Sequence, residues 1–190
     1  MIKTGKFNWS VGTAHEQIEL ARASSEDQLR EIACGCDWNP ESETVLGWIM
    51  AQRCIDLCTA LRVFMTAGPE ELNYISKRNV RNTDMGRARL LDNICLRINC
   101  GFYLPIPGTS TGCRQRVAEW VSYQTAGRHE GREGRWLLDE NILQSLLVDG
   151  APSGIVENPT PRPRQGILAA CSWFPRVNRV GHFQSDTRAI

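Results

Sequence analysis

The run DWNPESETVLGWIMAQRCIDLCTALRVFMTAGPEE, residues 37–71, constrains this chain more than any other stretch. Its apolar residues recur at three- and four-residue intervals, broken by capping residues and prolines, as in consecutive short helices. Asn39 before Pro40 predicts an N-cap followed by proline at the first helical position, where the missing N–H costs nothing. Val45, Trp48, Ile49 and Gln52 then share one face. Arg53 and Cys54 lead into Asp56, whose carboxylate can accept from the N–H of Cys58 or Thr59 and open a second helix. There Leu57, Ala60, Leu61, Phe64 and Gly68 form an apolar stripe. Gly68-Pro69 closes that helix and starts a third over residues 69–76, with Leu72 and Ile75 turned inward.

The flanks repeat the pattern. Thr13-x-x-Glu16 and Ser25-x-x-Gln28 have capping-box spacing. The first predicts a helix through Ile18, Leu20 and Ala21; the second a helix over 26–36 with Leu29, Ile32, Ala33 and Cys36 on one stripe. Residues 77–82 form a polar, basic connector. From Asp84 a long helix keeps Leu91, Ile94, Cys95, Ile98 and Phe102 on one face and Arg87, Arg89 and Arg97 on the other. Residues 103–112 hold two prolines and two glycines and read as a loop. Val117, Trp120 and Val121 mark the next helix, 127–134 an exposed turn, and Leu138, Ile142, Leu143, Leu146 and Leu147 the last helix. No stretch alternates with period two for long, and 103–106, the one strand candidate, contains a proline. The predicted fold is all-α: a multi-helix bundle or solenoid-like stack of seven or eight short helices over residues 1–149. Residues 150–190 make a proline- and arginine-containing arm, whose apolar piece 167–174 is expected to pack back on the domain.

Charge divides the chain. Residues 1–75 carry six Lys/Arg against eleven Asp/Glu, 6 − 11 = −5, and residues 76–190 carry sixteen against ten, 16 − 10 = +6. The sum of +1 excludes a strongly basic nucleic-acid footprint, while the acidic half suits a basic partner. The start of the chain lacks the apolar core and cleavage site of a signal peptide, and no run reaches the roughly twenty apolar residues of a membrane span. Eight cysteines without a secretion signal read as buried thiols in a reducing cytoplasm.

Groups that could carry chemistry each have a plainer structural reading. Cys34-x-Cys36 and Cys54-x-x-x-Cys58 lack the spacing of a zinc knuckle, and no metal or other cofactor is expected. His15, His129 and His182 have no acid or cysteine at ligand spacing, although Cys113 and His129 could meet in space as a nucleophile and its base. Residues 108–112 resemble an anion-binding loop without the lysine of a P-loop. Arg87, Arg89, Arg97, Arg114 and Arg116 are interleaved with acids and read as a solvated face. Asp37, Asp56 and the glutamates near them sit where helix starts favour negative charge.

Residues 24–76 also carry a resemblance. Trp38-Asn39, Ile49, Cys54, Asp56, Thr59-Ala60-Leu61 and Phe64 resemble a family of small bacterial helical domains of unknown function, with a Trp-Asp-type turn and a Cys-Asp-x-small-Thr-Ala-Leu-x-x-Phe signature. Ile55 is inserted between Cys54 and Asp56, and Cys58 stands where that family more often has glycine. The resemblance implies a helical fold, a place among bacterial toxin-neutralising or accessory proteins, and no catalytic residue.

Together these readings predict a non-enzymatic, cytoplasmic, protein-binding module: a bacterial immunity protein that neutralises a cognate toxin through an acidic face. Asp37, Glu41, Glu43, Glu70 and Glu71 are the predicted contacts. The alternatives are an enzyme with a cysteine- or carboxylate-based site near the 103–112 loop, and a nucleic-acid-associated protein using the basic half.

Overall fold

A computed structural model describes residues 7–9, 11–38, 42–106 and 114–147. Seven α-helices occur among them: α1 Ala14–Arg22, α2 Glu26–Cys34, α3 Ser42–Ile49, α4 Leu57–Thr66, α5 Met85–Asn99, α6 Arg114–His129 and α7 Glu140–Leu147. The described residues contain no strand and no helix long and apolar enough to cross a membrane. Both capping boxes close reciprocally: Thr13 with Glu16 starts α1, and Ser25 with Gln28 starts α2. Asn39, Pro40 and Glu41, the loop 107–112, Cys113 and the arm 150–190 lie outside the described residues.

The predicted corner is present, and α4 is its centre. Leu57, Ala60, Leu61 and Phe64 are buried as the stripe requires, but Cys58, Thr59, Val63 and Met65 are buried too. A helix covered on nearly every side is a core helix rather than a surface one. It packs against α2 and α5, while α3 lies against α1, α2 and α5, and α6 against α7. Asp56 starts α4 by accepting from the Thr59 N–H at 3.0 Å and the Thr59 hydroxyl at 2.7 Å. Arg30 braces the corner from α2, donating to the Cys54 carbonyl at 3.0 Å with its Nε 3.4 Å from Asp56. From the other side the Tyr103 hydroxyl and Arg97 Nη1 donate to the Met50 carbonyl at 2.8 and 3.0 Å.

Several expectations are corrected by these contacts. The buried stripe of α3 is Val45, Leu46 and Ile49; Trp48 and Gln52 are only half-buried, with Trp48 beneath the Arg22 guanidinium. No α-helix spans 69–76. Gly68 takes the left-handed conformation at φ 63°, and Pro69–Glu71 makes one 3-10 turn that continues as irregular chain. Leu72 is buried there, but Ile75 is 36% exposed. Leu20, placed with the apolar residues of α1, is 61% exposed, and the buried position is taken by Gln17. Gln17 Nε2 satisfies the carbonyls of Trp9 and Val11 and so ties the chain's start to α1. On α5, Arg87 and Arg97 are not on a solvated face: both are half-buried and donate to carbonyls of the 50–67 region, while Arg89 is exposed.

Candidate functional site

The predicted acidic contacts fall into different environments. Asp37 and Glu70 are exposed. Glu71 is exposed and held by Arg87 Nη2 at 3.0 Å. The same Nη2 lies 3.0 Å from Asp84, and Arg87 Nη1 donates to the Ala67 carbonyl at 3.1 Å. Glu43 is half-buried and lies against the start of α5. Its approach depends on Gly86, because a Cβ there would fall on the Glu43 carboxylate. Burial and the nearby Asp84 charge push the Glu43 carboxyl up, against the Arg87 N–H and guanidinium. Glu43, Glu71 and Asp84 therefore gather around Arg87.

Three of the described thiols are set against nucleophilic use. Burial pushes Cys36 and Cys95 up to about 12, and Cys54 is raised by the same cause. A thiol so raised holds its proton at neutral pH, when only a thiolate attacks. Cys58 is buried and Cys100 exposed, and neither is in a disulfide. His15 and His129 are exposed, and His182 lies outside the described residues. Among the described residues no group of His, Cys, Asp and Glu is arranged to hold a metal ion. Asp56 is committed to Thr59 and Arg30.

A polar and aromatic cluster that the sequence reading passed over lies where α6, the 72–76 segment and the 130–139 segment meet. The irregular backbone of 135–139 has no strand beside it, so side-chain amides supply the pairing that a sheet would have given. Asn73 Oδ1 accepts from the Trp136 N–H at 2.9 Å, and the Asn73 carbonyl from the Arg135 N–H at 2.8 Å. Gln124 takes both groups of Leu138, accepting from its N–H at 3.1 Å and donating to its carbonyl at 3.0 Å. Asn99 donates to the Leu137 carbonyl at 2.7 Å and accepts from the Asp139 N–H at 2.9 Å. Arg135 forks onto Asp92 at 2.8 and 2.7 Å, and the Trp136 indole N–H joins it at 2.9 Å. Burial pushes Asp92 up, but the bonds from Arg135 and Trp136 together with the Arg135 charge hold it below the ordinary aspartate value.

Tyr74 and Tyr123 cover this segment, their rings 5.7 Å apart, with the Arg132 guanidinium 4.4 Å from the Tyr74 ring centre. Close approach requires two glycines here. A Cβ on Gly127 would strike the Tyr74 hydroxyl, and one on Gly134 would come within 2.5 Å of Asn73 Nδ2. A legible sign existed in α6, whose buried positions Val117, Trp120, Gln124 and Gly127 put an amide and a glycine on an otherwise apolar stripe. The partners Asn73, Asp92 and Asn99 gave no such sign, since Asn73 precedes α5, Asp92 and Asn99 lie on it, and all three are far in sequence from 135–139.

No protein-family model matches the sequence, and neither a curated protein nor a solved structure is found to be similar to it.

Proposed function

We propose that the chain is a non-enzymatic protein-binding module, an immunity protein of a bacterial cytoplasm that engages a basic surface of a cognate toxin through Asp37, Glu41, Glu70 and Glu71. The observation that supports it best is Glu71, whose carboxylate stays 67% exposed while Arg87 holds it in place. An acid fixed before binding loses little freedom when a cation docks, which favours recognition. The charge of −5 on residues 1–75 from six basic and eleven acidic residues, 6 − 11 = −5, would steer such a partner. Glu43 lies behind them, against Gly86 at the start of α5. The resemblance of residues 24–76 to small bacterial helical domains points the same way.

The test is co-expression with a large secreted toxin encoded by the adjoining reading frame, followed by association kinetics with the purified pair. Lysine at Asp37, Glu70 and Glu71 together should slow association and reduce protection. Unchanged protection by that variant removes this face from the proposal.

A further inference from the structure

We propose that Arg87 makes Glu71 selective, so that the partner group seated on it is a lysine ammonium rather than an arginine guanidinium. This selectivity rests on Glu71 being a contact of the acidic face proposed above. Glu71 closes the 3-10 turn Pro69–Glu71, which follows Gly68. Its Oε2 takes the bond from Arg87 Nη2 at 3.0 Å, yet the side chain stays 67% exposed. Oε1 stands on the side of Gly68, where a Cβ would come to 3.6 Å from it. Glycine, here at φ 63°, puts no side chain against that oxygen. One oxygen of the carboxylate is engaged from within, and the other is left for a partner.

Arg87 does not yield Oε2 readily, because it is anchored twice more. Its Nη1 donates to the Ala67 carbonyl at 3.1 Å, and Nη2 also lies 3.0 Å from Asp84 Oδ1. Asp84 is buried and the Arg87 side chain is 19% exposed, so withdrawing the guanidinium would strand a buried acceptor. An incoming cation therefore finds Arg87 in place.

The two candidate cations differ in what they need. An arginine presents a planar fork, whose strength comes from two parallel N–H bonds, one to each carboxylate oxygen. At Glu71 one of those oxygens is taken. An incoming guanidinium would keep a single bond and lie beside a second guanidinium of like charge. A lysine ammonium is a compact point charge whose rotatable donors reach one oxygen without that constraint. The local charge admits it. Arg81 and Arg87 engage Asp84 and Glu71, with Arg81 Nε 2.8 Å from Asp84 Oδ2, and the exposed Glu70 adjoins them. Two basic groups against three acids leave 2 − 3 = −1, room for one further positive charge.

The test is an NMR titration of the full chain with blocked pentalysine and blocked penta-arginine at matched ionic strength, following the Glu71 side-chain carboxyl carbon. Pentalysine should bind the wild type at least as tightly as penta-arginine does. In Arg87→Gln both Glu71 oxygens are open, and the ratio of affinities should move about threefold toward arginine, the scale of one exposed charged contact. A melting curve checks that this variant is folded. Glu71→Asp asks the same question from the exposed side: its shorter carboxylate draws back from Arg87, opens both oxygens and should move the ratio the same way. An unchanged ratio in either folded variant, or tighter penta-arginine binding by the wild type, overturns the selectivity and leaves the acidic face standing. Glu71→Gln separates that failure from a failure of the face. If it leaves the affinity for both peptides unchanged, Glu71 contacts no cation, and face and selectivity fall together.

Discussion

Replacing Asp56 by alanine strips the first turn of α4 of its acceptor and leaves the Thr59 hydroxyl and Arg30 facing an empty position. The expected loss is about 2 kcal/mol in urea unfolding, with part of it recovered in Asp56→Asn, whose amide oxygen still accepts from the Thr59 N–H. This cap was legible because donor and acceptor are three residues apart in one local motif. Glu43 makes the contrasting case. It lies against Gly86 on another helix, so no spacing rule could have announced its burial, and its exposure to a partner was the natural expectation. The pH dependence separates the two roles. Burial holds the Glu43 carboxyl above the ordinary value of 4.5, which means the folded state binds its proton more tightly than the unfolded chain does. Its contribution is complete below pH 4.5 and is lost as pH rises through the folded value. The stability of the wild type relative to Glu43→Gln should therefore decline as pH rises above 4.5, measured by urea titration at a series of pH values. A constant difference would return Glu43 to the solvent-facing role.

At the scale of elements, the segment 135–139 shows why a correct list of helices does not yield a site. The sequence reading gave 127–134 to an exposed turn and Leu138 to the last helix, whereas α6 runs on to His129 with Gly127 buried, and α7 begins at Glu140. The backbone of 135–139 is satisfied by amides from Asn73, Asn99 and Gln124, each borrowed from a different part of the fold. Gln124→Met keeps the helix propensity and volume of the residue but leaves the Leu138 N–H and carbonyl without partners. The expected destabilisation is about 2–4 kcal/mol, from two buried groups losing their bonds. Hydrogen exchange gives the sharper reading: the Leu138 amide should lose protection beyond the global change, while amides of α4 follow the global change alone. Gly134→Ala probes the same contact sterically. The added Cβ would sit 2.5 Å from Asn73 Nδ2, and Asn73 is pinned through both its carbonyl and its side chain. Overpacking of this kind costs about 1–3 kcal/mol. A neutral result would mean that Asn73 has room to move.

Across the whole molecule, the order of helices was readable because each helix announces itself within a few residues, through Thr13 and Glu16, Ser25 and Gln28, or Asp56 and Thr59. Their mutual packing was not, because it depends on which faces meet. The α4 stripe predicted one buried side, whereas the helix is enclosed on nearly all of them. Phe64 sits at the point where this enclosure converges, fully buried, with its ring edge-on to Trp120 at 5.4 Å and to Trp136 at 6.2 Å. Those two tryptophans belong to α6 and to the irregular segment beyond it, so one side chain joins the corner to the later part of the chain. Phe64→Ala should cost about 3–5 kcal/mol, by lost burial and the cavity left behind, and should change the tryptophan fluorescence of the folded state. Leu96→Ala is the matched control. It lies on α5 at 66% exposure, and its removal should shift stability by no more than about 0.5 kcal/mol. If the two variants proved equally destabilising, α4 could not be the centre of the core. If Phe64→Ala lost stability without any change in fluorescence, the coupling between the corner and the tryptophans would be absent. The joint outcome decides whether the acidic corner and the amide-held segment rest on one core, and so whether a partner bound at the corner can be felt at the segment.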